Sequence, residues 1–264
     1  MAETLFARVS ARVNLYWRVF ATGLSFSLFG VGGLALRLLV FPLLNLMVWQ
    51  GERRVVWSRT VIRLAFRAYV ELMRILGVLR YEIRGLERLE RGGLLILSNH
   101  PTLIDTVFLM AFVKNADCIV KGDLWNNPFT RGPVRAAGYI NNASGADLID
   151  DCIASLRRGN NLIVFPEGTR TPCDGVISMK RGAANIAVRG ARDMTPVLIR
   201  CVPATLGKGE KWWRVPPCRV RFEIEVQEDL AIRQFAGGVS DVIAARQLTD
   251  FLQVYFSRKC QRHA

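Results

Sequence analysis

Short apolar runs alternate with amphipathic stretches from Tyr81 onward, the pattern of a β-sheet covered by helices. In the run 218–226 apolar residues alternate with charged ones, as expected for a strand with one face in the core and the other in water. We predict six strands, at 81–84, 94–98, 118–120, 161–165, 195–202 and 218–226. We predict four helices, at 103–113, 146–158, 180–189 and 239–257, with Gly159 ending the second. Residues 81–264 are therefore predicted to form one α/β domain, a mixed sheet flanked by helices.

The N-terminal part has a different pattern, with two long apolar runs on either side of Arg37. The first, residues 19–36, would extend ~27 Å as a helix, just short of the ~30 Å hydrocarbon core of a bilayer. The second, residues 38–49, would extend only ~18 Å and contains Pro42. Aromatic residues typical of a membrane interface bracket the pair: Tyr16, Trp17 and Trp49. We therefore predict that residues 1–55 form a membrane-anchoring helical hairpin of the re-entrant kind.

Two alternatives to the re-entrant hairpin stay open, a single tilted span and a core hairpin of a soluble protein. A cleavable signal peptide is disfavoured, because the charged region before the apolar run is long and no small-residue cleavage site follows it.

Residues 56–80 are predicted to form a basic amphipathic helix that links the anchor to the α/β domain. Between positions 59 and 76 the apolar residues fall within one arc of about 100° at helical spacing. The opposite face carries Arg59, Arg63, Arg67, Glu71 and Arg74. This charged face fits either plain solvation or contact with lipid phosphates or an anionic acyl carrier.

The chain is strongly basic, with 36 Lys and Arg against 22 Asp and Glu and a net charge of +14. Long apolar runs lie between the N-terminal arginines, which favours an anionic membrane surface over nucleic acid as the partner. We expect no nucleic-acid binding. A basic, tryptophan-rich stretch at 207–217 fits either an interfacial loop or a packed surface loop.

The six cysteines, at 118, 152, 173, 201, 218 and 260, include no CxxC pair and are expected to be reduced. We therefore place the α/β domain on the cytoplasmic face of the inner membrane.

His100 is the candidate general base, because the other histidine, His263, lies at the C-terminal end, where order is rarely expected. His100 follows an apolar strand and precedes a helix, the place where open α/β sheets build their sites. Asp105, five residues later, can hold one ring nitrogen and leave the other to accept a proton. A lone histidine is more often structural than catalytic, so a catalytic role for His100 needs the support of a second motif.

That second element is the block 165–171, Phe-Pro-Glu-Gly-Thr-Arg-Thr, which follows another apolar strand. Arg170 offers a planar fork for a phosphate or carboxylate, and Glu167 can orient it or bind a hydroxyl. The alternative is a tight turn with an internal pair between Glu167 and Arg170.

Asn99, His100, Asp105 and the 165–171 block together resemble the signature of the glycerolipid acyltransferase family, over about residues 80–205. Its best-known members convert lysophosphatidic acid to phosphatidic acid in phospholipid biosynthesis. The resemblance implies that His100 of the HX4D motif deprotonates the acceptor hydroxyl, which attacks an acyl-CoA or acyl carrier protein thioester directly. It also implies that Asp105 orients His100 and that further residues bind substrate: Glu167, Gly168, Thr169, Arg170, Lys121 and Lys180. Pro196 and Val197 resemble the last family block.

One position departs from the family pattern, because Asn142 stands where an arginine is usual. The departure favours another acceptor, such as a lyso-aminolipid or another hydroxylated lipid. A thioesterase or lipase is disfavoured because no G-x-S-x-G elbow is present. A non-catalytic lipid-binding protein is a further alternative. We expect no metal and no redox cofactor, since ligand spacings and nucleotide-binding loops are missing.

Overall fold

The structure of the chain is a computed structural model that describes residues 2–127, 130–172, 175–235 and 237–261. Cys173 and His263 lie outside these ranges. The N-terminal helix runs as α1 (Ala2–Ala35), a π-helical turn (Leu36–Val40) and α2 (Phe41–Met47). Among the described residues one helical stretch, Arg12–Met47, is long and apolar enough to cross a membrane. Only 6% of its most apolar window is buried in the protein.

The helix continues through Arg37, where the sequence pattern placed an interruption. Arginine is a good helix former, so a single charge in an apolar run leaves the backbone helical. The π-helical turn Leu36–Val40 is wider than an α-helical turn, because the Phe41 N–H donates to Leu36 O, five residues back. It directly precedes Pro42, whose ring would collide with a carbonyl in a regular α-helix, and π-bulges are a common way to absorb such a defect.

The chain reverses at residues 48–50 and returns as α3 (Gly51–Ile75). Phe29 of α1 packs on Phe66 and Tyr69 of α3, with ring centroids 6.0 and 5.1 Å apart. The hairpin is thus formed by α1–α2 against α3, and the predicted boundary at residues 55 and 56 falls inside α3. The membrane role of residues 1–55 stays a prediction.

The apolar arc of α3 faces the protein as predicted, with Ile62, Tyr69 and Met73 buried. Arg59, predicted on the charged face of this helix, fits neither plain solvation nor contact with lipid phosphates or an acyl carrier, because it is only 4% exposed. Its Nη2 lies 2.8 Å from Asp117 Oδ2, and its Nε donates to Ala137 O at 2.9 Å. This ion pair with a partner 58 positions away keeps the guanidinium inside the protein.

The predicted fold class is confirmed: a seven-stranded mixed sheet flanked by helices. The strands are β1 (Leu79–Arg84), β2 (Leu95–Ser98), β3 (Ala116–Val120), β4 (Ile140–Asn141), β5 (Asn161–Val164), β6 (Met194–Val202) and β7 (Val220–Val226). Their order in the sheet is β1-β7-β6-β2-β5-β3-β4. The five strands from β6 to β4 are parallel, while β7 and its parallel neighbour β1 run the other way.

Helices cover both faces of the sheet. After α3 they are α4 (Asp105–Phe112), α5 (Gly122–Asn126), α6 (Arg131–Ala136), α7 (Leu148–Arg157), α8 (Arg181–Gly190) and α9 (Asp241–Gln261). One face packs on α3, α4 and α6, and the other on α7, α8 and α9. The short elements β4, α5 and α6 were not predicted. Because β6, β2, β5, β3 and β4 are parallel, the loops after them meet at one edge of the sheet, where the predicted site residues lie.

Candidate active site

His100 and Asp105 are joined directly at the end of β2. His100 Nδ1 lies 2.9 Å from Asp105 Oδ2, and the imidazole side chain is 16% exposed while the carboxylate is fully buried. Asp105 begins α4, so the turn between β2 and α4 brings the two side chains together. The second ring nitrogen, Nε2, is the one left to accept a proton from a ligand.

Thr102 holds the carboxylate of Asp105 from the other side. Its backbone N–H donates to Oδ2 and its hydroxyl to Oδ1, both at 2.6 Å. Burial raises the pKa of Asp105, whereas the bonds from His100 and Thr102 lower it. Sequence reasoning missed Thr102, although Thr-x-x-Asp has the spacing of a helix capping box.

Two further residues fix the position of His100. The Asn99 side chain exchanges two hydrogen bonds with the backbone of Ile199, both 2.8 Å long, which ties the end of β2 to β6. Phe165, at the end of β5, stacks on the imidazole with ring centroids 4.1 Å apart and planes 22° from parallel. The block after β5 therefore covers one face of the histidine ring.

Glu167 lies beneath the backbone of His100, with its side chain buried. Its Oε1 accepts the His100 N–H and the Thr171 hydroxyl, both at 2.9 Å, and the Thr171 N–H donates to His100 O at 2.7 Å. No partner for the buried Oε2 occurs among the described residues. Burial raises the pKa of Glu167. The two predicted site blocks are thus bound to each other through the main chain of His100.

Gly168 and Lys180, both predicted to bind substrate, are close neighbours. Gly168 has a φ of +66°, and a methyl group added there would lie 3.1 Å from Lys180 Nζ. The Lys180 N–H also donates to Pro166 O at 2.8 Å. Thr169 lies half-buried in the same turn. A side chain at position 168 would strain the backbone and displace the lysine.

The Arg170 side chain contacts the loop after β6 and does not pair with Glu167. The alternative of an internal Glu167–Arg170 pair is therefore wrong. Its Nη1 donates to Leu206 O at 2.9 Å and to Gly207 O at 2.8 Å. Leu206 O also accepts the N–H of Leu103 at 3.1 Å. Arg170 therefore connects the His100 block to the loop that follows β6.

Lys121 and Asn142 lie at the same sheet edge, after β3 and β4. Lys121 is exposed and precedes α5, two strands away from His100. The Asn142 side chain accepts the Gly122 N–H at 2.9 Å, so the position where the family has arginine here supports the start of α5. Pro196 and Val197 belong to β6 and pair with the last residues of β2.

A small cavity with mostly apolar walls opens next to the site. It lies between α1, α3, the beginnings of β1 and β7, and the loop 203–217. Ile104, which precedes Asp105, and Leu206, which accepts from Arg170, both line it. Sequence reasoning did not find this cavity, because its walls come from distant parts of the chain.

Two candidate nucleophiles lie near the site, the buried Ser98 and the partly buried Cys201. Ser98 is fully buried and donates its hydroxyl to Asn99 O at 3.0 Å. Burial, with smaller effects of the Asp105 and Glu210 charges, raises the pKa of Cys201 to about 12. The described cysteines are free thiols, as expected. Among the described residues no three His, Cys, Asp or Glu side chains are placed to share a metal ion.

Comparison with known proteins identifies the domain. A family model described as "Acyltransferase" matches residues 80–200. The 1-acyl-sn-glycerol-3-phosphate acyltransferase of Pseudomonas aeruginosa is 29% identical over 148 residues, 53% of this chain and 56% of that protein. The enzyme of the same name from Helicobacter pylori is 28% identical over 117 residues, 42% of this chain and 49% of that protein. The chain thus spans about half the length of these relatives.

A solved structure shares the fold over nearly the whole chain. It is the crystal structure of the 1-acyl-sn-glycerophosphate acyltransferase PlsC from Thermotoga maritima, which superposes with a TM-score of 0.71 at 18% identity. The match covers 96% of this chain and 97% of that one. The family model and the relatives confirm the resemblance of residues 80–200 to the glycerolipid acyltransferase family, on which the motifs were interpreted.

Proposed function

We propose that the chain is an O-acyltransferase of phospholipid biosynthesis. It moves a fatty acyl group from an acyl thioester to the hydroxyl of a lysolipid such as 1-acylglycerol-3-phosphate. The observation that carries the proposal is the 2.9 Å contact between His100 Nδ1 and the buried Asp105 Oδ2. A carboxylate in this position fixes the ring and stabilises the imidazolium that forms when Nε2 takes a proton.

The proposed reaction uses this geometry. His100 Nε2 accepts the proton of the acceptor hydroxyl, whose oxygen attacks the thioester carbonyl carbon. The carbon–sulfur bond then breaks, the acyl ester forms, and the thiolate takes the proton back from His100 as it leaves. Ser98 is buried and bonded, and the pKa of Cys201 is about 12, so neither thiol nor hydroxyl is suited to form an acyl-enzyme. None of these steps needs a metal or a redox cofactor.

The other predicted site residues divide into two roles. Glu167 positions His100, because its Oε1 accepts the backbone N–H of that residue. We assign Arg170 and Lys180 to the acceptor phosphate. Among the described residues Arg170 uses Nη1 on the 206–207 carbonyls, and its Nη2 and Nε carry further N–H groups. Gly168 and Thr169 shape the turn that presents them, and Lys121 supplies a more distant positive charge. The acyl chain occupies the apolar cavity beside Ile104.

The exposed apolar helix Arg12–Met47 anchors the protein in the inner membrane, with the site facing the cytoplasm, where acyl-CoA and acyl carrier protein are found. The lipid acceptor then approaches from the bilayer and the thioester from water. Holding both in attack geometry supplies much of the rate without a covalent intermediate.

A second acceptor class is favoured by one observation, the neutral Asn142 at the position where the family has arginine. A lyso-aminolipid or another hydroxylated lipid without a terminal phosphate would not need that charge. In this case transfer would still require His100 and Asp105, whereas a non-catalytic lipid-binding protein would show no transfer at all.

The experiment is an acceptor panel with membranes that contain the full chain. Acyl-CoA and acyl carrier protein thioesters are supplied with lysophosphatidic acid, a lyso-aminolipid, or no acceptor, and the acylated lipids are resolved by mass spectrometry. We expect product only when an acceptor is present. Selective acylation of the lyso-aminolipid would replace the phosphate acceptor, and release of free fatty acid without acceptor would mean a thioesterase.

A further inference from the structure

Residues 207–214, here called the tryptophan loop, leave the active-site edge after β6 and expose two indole rings. Trp212 is 42% exposed and Trp213 is 52% exposed. The rings form an edge-to-face pair with centroids 5.6 Å apart. Large aromatic side chains grouped on a surface generally mark a contact with another apolar phase, since water disfavours such patches.

The tryptophan loop is continuous with the exposed apolar surface of α1. The Trp212 ring lies 5.8 Å from that of Phe26, and a methyl group on Gly23 would be 3.4 Å from the indole. The preceding turns of α1 expose a group of apolar side chains: Val13, Tyr16, Trp17 and Phe20. The loop and the candidate membrane helix therefore present one joined apolar surface.

Arginine side chains bind the backbone at both ends of the segment 206–217. Arg170 of the site holds the carbonyls of Leu206 and Gly207, and the buried Arg18 of α1 donates from Nη2 to Pro217 O at 2.5 Å. The position of the tryptophan loop is thus set by the active site on one side and by α1 on the other.

The charge of the tryptophan loop is complementary to an anionic surface. Three of its residues are basic, Lys208, Lys211 and Arg214, and its one acidic residue, Glu210, accepts the Gly207 N–H at 2.9 Å. Lys211 Nζ lies over the Trp213 ring, 5.2 Å from its centroid. Tryptophan with neighbouring lysine and arginine is the composition that favours the headgroup region of a bilayer.

We propose that the tryptophan loop is a second bilayer contact, which docks on anionic phospholipid headgroups with Trp213 in the interface. Contact at this point would place the active-site edge, and the cavity mouth beside Leu206, against the membrane that holds the lipid acceptor. Membrane contact by the loop does not depend on the reaction, so loop binding and acyl transfer can be tested separately.

The test uses tryptophan fluorescence of the purified full chain in phosphatidylcholine vesicles, with and without phosphatidylglycerol. Subtracting the emission of Trp213→Phe from that of the wild type isolates the signal of Trp213. We expect lipids brominated near the headgroup to quench this signal and aqueous iodide to leave it largely intact. Quenching of Trp213 by iodide alone would overturn the proposal.

A charge variant separates an anionic surface from any apolar one. In Lys211→Gln/Arg214→Gln the extra bromine quenching seen with phosphatidylglycerol should be lost. The matched pair Arg157→Gln/Arg158→Gln removes two exposed charges at the end of α7, on the opposite face of the sheet, and should keep the effect. Protection of Trp213 by an acidic carrier protein, with no response to vesicles, would show that the loop binds protein instead.

Discussion

At the scale of single residues, three hydrogen-bond donors hold the carboxylate of Asp105. The Thr102 hydroxyl is the one donor that a substitution can remove without changing His100 or the backbone. The other two are the ring nitrogen of His100 and the backbone N–H of Thr102. Because the carboxylate is fully buried, its orientation depends on these bonds rather than on water.

We predict that Thr102→Val lowers kcat about 10-fold with little change in KM, since a hydrogen bond to a charged group contributes about 1.5–3 kcal/mol. Loss of the bond also raises the pKa of Asp105 further, so the acid limb of the pH–rate profile should move to higher pH. Thr102→Ser should restore both values. A serine variant as slow as the valine variant would mean that packing, not the hydroxyl, is what matters.

Glu167 makes a second prediction, on stability. Burial raises its pKa above 4.5, so the folded state favours the protonated form. The resulting stabilisation is full below the unfolded pKa and is lost as pH rises through the higher folded pKa. Glu167→Gln keeps an oxygen for the His100 N–H and does not titrate.

Thermal unfolding of the two proteins in detergent, from about pH 4 to about pH 8, checks this expectation. As pH rises, the melting temperature of Glu167→Gln should increase relative to that of the wild type. Glu228→Gln, whose parent side chain is 89% exposed, is the control and should follow the wild type. Parallel pH curves for wild type and Glu167→Gln would contradict the buried-charge explanation.

At the scale of elements, alternation and apolar runs were sufficient to predict six of the seven strands and the helices α4, α7, α8 and α9. The two-residue β4 and the five- and six-residue helices α5 and α6 are too short to show a period. Helical periodicity describes only the helix itself, so it predicts an outward-facing charged side chain at Arg59. Its burial depends on Asp117 in β3, a partner that no local pattern reveals.

The same limit applies to the site. His100 with Asp105, and the block at 165–171, were predictable because each is a short motif at the end of a strand. The stacking of Phe165 on His100, the contact of Arg170 with the loop after β6, and the cavity were not. These features join segments that are far apart in sequence.

We predict that the Arg59–Asp117 pair docks α3 on the domain. Arg59→Met leaves Asp117 buried without its cation, and Asp117→Leu leaves the arginine, so each should lower the free energy of unfolding by about 3–5 kcal/mol. The double variant should lose much less than the sum of the two. Chemical denaturation of the full chain in detergent measures the cycle. Arg74→Met, the control, breaks the exposed pair with Glu71 and should leave the free energy of unfolding nearly unchanged. Strict additivity of the two buried changes would rule out the coupling.

At the scale of the whole molecule, the exposed apolar surface of α1, the cavity and the His100 site lie along one edge of the sheet. Strands β7 and β1 begin at this edge, and strands β6, β2, β5, β3 and β4 end there. On the proposed function, this arrangement would let a bilayer-resident acceptor and a water-borne thioester reach the same imidazole.

The most direct measurement is thiol release from acyl-CoA and from acyl carrier protein thioester by the full chain in vesicles, with and without each lysolipid, for wild type and His100→Ala. We predict release that depends on a lysolipid in the wild type and falls by about 10²–10⁴-fold in the variant, because general-base catalysis contributes a factor of that size. The melting temperature should stay unchanged. A folded His100→Ala protein with wild-type, acceptor-dependent release would contradict the assignment of His100 as the base.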